Sequence, residues 1–200
     1  MKKVELEKIK ELLIVVDMVN GFVREGAMAD SYIEHIIKPI EHMINEFLNK
    51  EEKAVAFIKD NHEENCREFL RYPKHCIIGT TEAELVEELK KYEKHGYVYP
   101  KNSTSAIFAK GFLSDIEKMN QLEKVYGVGC CTDICDINLL IPLQNYFDQQ
   151  DRNVEIIVPQ DAVETYDAPY HNREEWNNKA FDFMNQAGIK LIKTYKKEGK

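Results

Sequence analysis

The sequence has no run of about 20 apolar residues, so nothing in it has the length and composition of a membrane-spanning helix. Its opening, Met-Lys-Lys-Val-Glu-Leu-Glu-Lys, lacks the apolar core and small-residue cleavage site of a secretory signal, and a cytoplasmic setting is expected. Positive charge is in the minority: 27 Lys and Arg stand against 35 Asp and Glu, a net charge of -8. That balance weighs against nucleic acid or an anionic membrane as partner. The five cysteines are an odd number without the spacing of a disulfide framework. Free thiols in a reducing compartment are the simplest reading. Internal repeats, low-complexity tracts and linkers are missing as well, and 200 residues suit one domain over 1–200.

What the chain does have is alternation between apolar runs and amphipathic stretches. Leu12 to Val16 is a continuous apolar run ending in Asp17, as expected of a buried parallel strand. Further strands are predicted at Ala54 to Ile58, Gly96 to Tyr99, Glu123 to Val128, Val154 to Val158 and Ile189 to Ile192. Ile33, Ile36, Ile37, Ile40, Met43, Ile44 and Phe47 recur at helical spacing across 30–49, with Pro39 expected to kink that helix. Helices are also predicted over Glu82 to Tyr92, near Ser114 to Met119, from Cys135 to about Gln149 with a bend at Pro142, and over Glu174 to Gln186. This order predicts an α/β fold of three α-β-α layers, a mostly parallel six-stranded sheet with helices on both faces.

In such sheets ligands sit beyond the carboxyl ends of the strands. Asp17, Asp60, Lys101, Asp161 and the turn from Cys130 to Cys135 end or follow predicted strands. The turn reads as a strand that stops at Gly127 and Gly129 and feeds a helix, with Thr132 and Asp133 offering N-cap oxygens. Cys135 then falls in the first helical turn, where the helix dipole favours a thiolate. Asp17 could take the thiol proton and Lys101 could lower the thiol pKa, an acyl-transfer set. The alternatives are three small buried cysteines, a loop-capping carboxylate and a solvated lysine. Asp60, His62, Glu68 and His75 cluster in the loop after the second strand and suit a borderline divalent metal such as zinc, iron or manganese. The alternative there is a polar loop with surface histidines. The segment Asp167-Ala168-Pro169-Tyr170-His171 is expected to be a surface loop; the alternatives are a segment that closes the pocket or a subunit contact.

These residues carry a resemblance. Leu-Ile-Val-Val-Asp-Met-Val-Asn-Gly-Phe, Pro-Lys-Asn-Ser-Thr-Ser-Ala and Gly-Val-Gly-Cys-Cys-Thr-Asp-Ile-Cys resemble three motifs of the isochorismatase-like cysteine hydrolases, along nearly the whole chain. The resemblance implies catalytic Asp17, Lys101 and Cys135, and a cis peptide between Cys130 and Cys131. It implies an oxyanion hole from the backbone N–H groups of Cys131 and Cys135. The loop Asp-Asn-His followed by Tyr-Pro-Lys-His-Cys-Ile-Ile-Gly-Thr is similar to the metal loop of the nicotinamidase (pyrazinamidase) branch. That likeness implies Asp60, Glu68, His62 and His75 as ligands of a divalent transition metal, foremost zinc, and Phe22, Tyr72 and Phe108 as aromatics against the substrate ring. It also implies self-association.

The sequence departs from the family at Val19 and Gly21, where Gln and Asp are frequent, and at Asp136 and Pro142, where small apolar residues are usual. The implied activity is hydrolysis of nicotinamide, or a similar small carboxamide, to the acid and ammonia through a cysteine thioester. One alternative is a hydrolase of the same fold acting on a ureido, carbamoyl or vinyl-ether substrate. Another is a non-catalytic binding or assembly protein.

Overall fold

The computed structural model describes residues 3–195; residues 1–2 and 196–200 of the domain expected over 1–200 lie outside the described residues. At its centre is β1 (Glu11–Val16), whose Leu12 to Val16 are fully buried. Burying each such aliphatic side chain contributes roughly 1.5–3 kcal/mol, so an apolar run of this length belongs in the middle of a sheet. β2 (Lys53–Asp60) lies on one side of it and β4 (Lys124–Cys130) on the other. β3 (Tyr97–Lys101) extends the sheet beyond β2. β5 (Glu155–Pro159) and β7 (Lys190–Ile192) extend it beyond β4. The order is β3-β2-β1-β4-β5-β7, and every pairing is parallel.

The six predicted strands are joined by a seventh, β6 (Val163–Glu164), which pairs with Gly129 and Cys130 at the tip of β4. Two residues are too few to leave a periodic signal.

Period-two alternation sends β1 side chains to two cores. Leu13 and Val15 pack with α2 (Ile37–Leu48) and with Leu89 of α3 (Glu87–Lys90). Leu12, Ile14 and Val16 pack with α4 (Phe112–Lys118), α5 (Ile137–Gln149) and Met184 of α6 (Arg173–Gln186). The sheet is therefore covered on both faces, as the alternation predicts. Gly127 brings β4 against α5, since a Cβ there would stand 2.6 Å from a Leu140 methyl.

Three helix boundaries differ from the reading of the sequence. The break in the 30–49 stretch falls before Pro39, where a 3-10 segment (Ser31–Ile36) hands over to α2. Pro39 then occupies the first turn, where a missing N–H leaves no helical bond unmade. The stretch 82–92 is not one helix. Tertiary pairing overrides its helical propensity: Val86 N–H donates to Met18 O (3.0 Å), Asn20 N–H donates to Glu84 O (2.9 Å), and Leu85 bridges Val19. Third, a π-helical turn (Thr132–Asp136) precedes α5, which carries Pro142 in its interior.

Candidate active site

The carboxyl ends of β1, β2, β3 and β4 supply the groups that meet at one rim. β1 ends at Val16, and Asp17 turns out of the strand with a φ of 48°. Its N–H donates to Ile58 O (3.0 Å), and its Oδ1 accepts the N–H of Asp60 (2.9 Å). Asp60 and Lys101 are register partners at the ends of β2 and β3. The Lys101 Nζ lies 2.8 Å from Asp17 Oδ2, closer still to Asp60 Oδ1, and 3.8 Å from Cys135 Sγ. All four side chains are buried.

Burial dominates the electrostatics. It pushes the Asp17 carboxyl up to about 6, with the nearby Asp60 adding to the rise and Lys101 opposing it. Burial would also raise Asp60, but the Lys101 charge and the two neighbouring histidines outweigh it and hold that carboxyl well below the usual range. Burial drives the Cys135 thiol well above its ordinary value; Lys101 works the other way, while Asp17 and Asp60 reinforce the rise. The resting sulfur therefore keeps its proton, and an ionised carboxylate stands near it.

The π-helical turn presents Cys135, and the Cys130–Cys131 peptide is cis. Gly129 sits at a φ of 125° with its α-carbon against β1, where a Cβ would fall 2.0 Å from Val16 O. The N-cap roles expected of Thr132 and Asp133 are not taken up. No side chain caps the turn or α5, and Asp133 reaches instead to Thr165 and His171. Asp136, next to the candidate nucleophile, is fully buried, and burial pushes its carboxyl well above the ordinary range. A carboxyl held neutral in this way is compatible with a position where apolar residues are usual.

Asp60 faces two ways. Its Oδ2 lies 3.4 Å from His62 Nε2 and 3.4 Å from His75 Nε2. Glu68 Oε2 is 3.6 Å from His62 Nε2, while its Oε1 accepts from the N–H (3.1 Å) and hydroxyl of Thr104. The other ring nitrogens are occupied: His75 Nδ1 bonds Pro73 O (2.8 Å), and His62 Nδ1 bonds Asn102 Oδ1 (3.1 Å). Those bonds orient each ring with Nε2 inward; burial opposes charging of His62, but the Asp60 carboxylate pushes it up to about 9, so an ion would displace a proton to take up that Nε2 lone pair. Buried His62 Nε2 has no hydrogen-bond partner among the described residues. Two imidazoles and two carboxylates with donor atoms facing inward fit a divalent transition metal. Asp60, His62 and His75 form one compact donor group; Glu68 joins His62 and Cys66 in an adjoining one.

A cavity of about 740 Å³ opens over these groups, with Asp60, Glu68, His75 and Cys135 exposed to it. Phe22 and Tyr72 line it, and their rings lie 5.5 and 6.4 Å from His75. Phe108 does not: it is 81% exposed and off the cavity wall, because the short helix Ala106–Phe108 turns Ala106 inward instead. Asp161 is likewise outside the cluster, its N–H paired with Lys193 O (3.3 Å).

The segment 166–170 is an exposed loop, as expected, and through Tyr166, Asp167, Ala168 and Tyr170 it also forms a wall of the cavity, with His171 buried behind it. Sequence reasoning missed Tyr166 and the Asp133 contacts. The visible signal was small: one Ala-Pro-Tyr turn beside the chain's single Trp.

A parallel sheet whose strand ends gather an aspartate, a lysine and a cysteine beside a metal-type donor group defines a family, and the chain belongs to it: the isochorismatase domain family matches residues 11–195. Within that family, a nicotinamidase of Arabidopsis thaliana, Nicotinamidase 1, is 35% identical over 140 residues. The match covers 62% of this chain and 55% of the plant protein, so the likeness spans about half of that relative. The structure of a pyrazinamidase of Pyrococcus horikoshii in complex with zinc superposes with a TM-score of 0.74 at 26% identity, covering 92% of this chain and 98% of that one. An N-carbamoylsarcosine amidase of Thermoplasma acidophilum shares the fold, with a TM-score of 0.75 at 24% identity over 96% of this chain and all of that one.

Proposed function

We propose that this protein hydrolyses nicotinamide, or a closely similar aromatic carboxamide, to the acid and ammonia, with Cys135 as nucleophile. The observation that carries the reading is the convergence of Asp17 and Cys135 on the buried Lys101 ammonium, with Cys135 reaching the cavity. The likeness to the plant nicotinamidase and the archaeal pyrazinamidase supports the choice of amide.

Asp17 takes the thiol proton, and Lys101 stabilises the thiolate against the cost of burial. The thiolate adds to the amide carbonyl carbon, and backbone N–H groups of Cys131 and Cys135 receive the oxyanion. Collapse expels ammonia, which carries the proton returned by Asp17, and leaves a thioester. Asp17 then draws a proton from water. The hydroxide attacks the thioester, the acid departs, and Asp17 returns its proton to the sulfur.

Asp60, His62, Glu68 and His75 would hold the metal, with zinc the first choice and iron or manganese as other borderline ions. When bound, the metal supplies Lewis acidity toward a ring nitrogen and toward water. Phe22 and Tyr72 would flank the ring.

A panel of carboxamides, ureido acids and carbamoyl compounds assayed for ammonia release tests the reading. Turnover of nicotinamide and pyrazinamide above the others is expected. Preference for a ureido or carbamoyl compound would overturn it.

A further inference from the structure

Asp133 sits two residues before Cys135 in the same π-helical turn, and proton transfer leaves it without a task. Its carboxylate is nevertheless committed on both oxygens. Oδ1 accepts the hydroxyl of Thr165 (2.5 Å), and Oδ2 accepts Nε2 of His171 (2.9 Å). Those two residues are the ends of one strap, 165–171. A single carboxylate thus closes the strap at both ends against the turn that carries the candidate nucleophile.

The strap is also braced internally. Ala168 and His171 exchange backbone bonds (3.0 and 2.9 Å), leaving Pro169 and Tyr170 at the tip. His171 Nδ1 meets Tyr166 O at 3.0 Å. Both ring nitrogens therefore face acceptors. The His171 ring is sandwiched between Tyr166 (3.9 Å, 10°) and Trp176 (4.9 Å, 5°). Beyond the turn, the Asp167 N–H donates to Asp30 Oδ2 (3.0 Å), and Arg173 Nε donates to Thr165 O (2.9 Å). The cavity side of this strap is Tyr166, Asp167, Ala168 and Tyr170, opposite Cys131, Ile134 and Cys135.

We propose that Asp133 and His171 are positioning residues: their bond, with the Thr165 bond, fixes the strap as a prebuilt wall whose distance from Cys135 is set by the nucleophile's own turn. A wall ordered before ligand arrives spares the ligand the cost of ordering it, so the strap governs how well a ring is held rather than how fast the bond breaks. This rests on the proposed amide hydrolysis for its kinetic readout only.

The test uses His171→Phe, which keeps a ring between Tyr166 and Trp176 but has no N–H, and Thr165→Val, which keeps shape without the hydroxyl. Steady-state kinetics with nicotinamide, alkylation of Cys135 by iodoacetamide and amide exchange across 166–170 are measured on each. Losing a bond to a carboxylate should raise KM about ten-fold in His171→Phe, with a smaller rise in Thr165→Val and kcat within about three-fold. Alkylation should be undiminished and exchange across the strap faster. His171→Gln, which can still donate to Asp133, should recover part of the KM.

Unchanged KM together with unchanged exchange would overturn the proposal. So would kcat and alkylation falling in step at constant KM. Wild-type protein that releases no ammonia from nicotinamide would overturn the functional reading instead; exchange and alkylation, which need no substrate, then decide the strap.

Discussion

Lys101 and Asp60 stand side by side in register, and the lysine's ammonium turns back over Asp60 to meet Asp17 as well. One buried cation is shared by two carboxylates whose other contacts differ. Asp17 stands near the thiol and Asp60 near the histidines. Where neither carboxylate has water to solvate it, the ammonium is what allows both to be ionised.

Replacing Lys101 by Met should therefore do more than slow turnover. Removing one partner of a buried ion cluster leaves uncompensated charge and typically costs about 3–5 kcal/mol. Urea denaturation of the metal-free protein should show a loss of that order, with ammonia release abolished. A variant as stable as the parent would mean that Asp17 and Asp60 are not both ionised in the folded state.

Cys135→Ala should end ammonia release while leaving the fold and metal content alone, since Cys135 lies outside the Asp60, His62 and His75 donor group. Cys130→Ala and Cys131→Ala should each retain turnover, because the proposed chemistry uses a backbone N–H of Cys131 and no side chain of Cys130. Mass spectrometry after rapid quench should find the acyl group on a peptide containing Cys135. An adduct on either other cysteine would reassign the nucleophile.

Asn102 does not reach the inward face of the metal donors, yet its Oδ1 accepts from His62 Nδ1 at 3.1 Å. Loss of such an outer contact typically weakens metal affinity by about 10–100-fold. Asn102→Ala should show a loss of this size in a competition titration against a chromogenic chelator. His62→Ala should show a larger one, and equal retention by both variants and parent would rule out this ligand set.

Gly129→Ala should be among the most damaging small substitutions in the sheet. An alanine there is strained at a φ of 125°, and its methyl would meet the Val16 backbone at 2.0 Å. Backbone strain and overpacking together should cost about 2–5 kcal/mol. Thermal unfolding measures the loss. Gly188→Ala is the control, with a φ that is also positive, at 86°, but nothing within 4 Å of its Cβ, and it should cost less.

The parts of the molecule that could be read from sequence are those where one physical effect dominates. Leu12 to Val16 could only be a central strand, and a strand ending in Asp17 points that residue at the rim where ligands sit. Lys101 was legible as a strand-end lysine, but its contact with Asp60 follows from β2–β3 register, which no local pattern encodes. The extended backbone at Leu85 and Val86 was illegible because their charged neighbours favour helix while the Met18 to Asn20 segment claims their hydrogen bonds. Phe108 was misread because an aromatic carries the same sequence signal whether it faces a cavity or water. Asp133 was read as a cap because its chemistry at a helix start is generic; the strap that recruits it lies some thirty residues downstream.

The ends of four neighbouring parallel strands, with the turn after β4, place the cluster of Asp17, Asp60, Lys101 and Cys135 beneath the cavity, whereas its outer side comes from connecting segments. These two parts are under different structural constraints. The cluster leaves little room for change, because the register of β1 to β4 sets which of its groups meet. The outer segments can be exchanged, lengthened or rewired with the sheet untouched. Changes in those segments can reshape the cavity with Asp17, Lys101 and Cys135 left in place, so variants with altered ligand range should be sought in 27–31, 71–73 and 166–170 before any strand is touched.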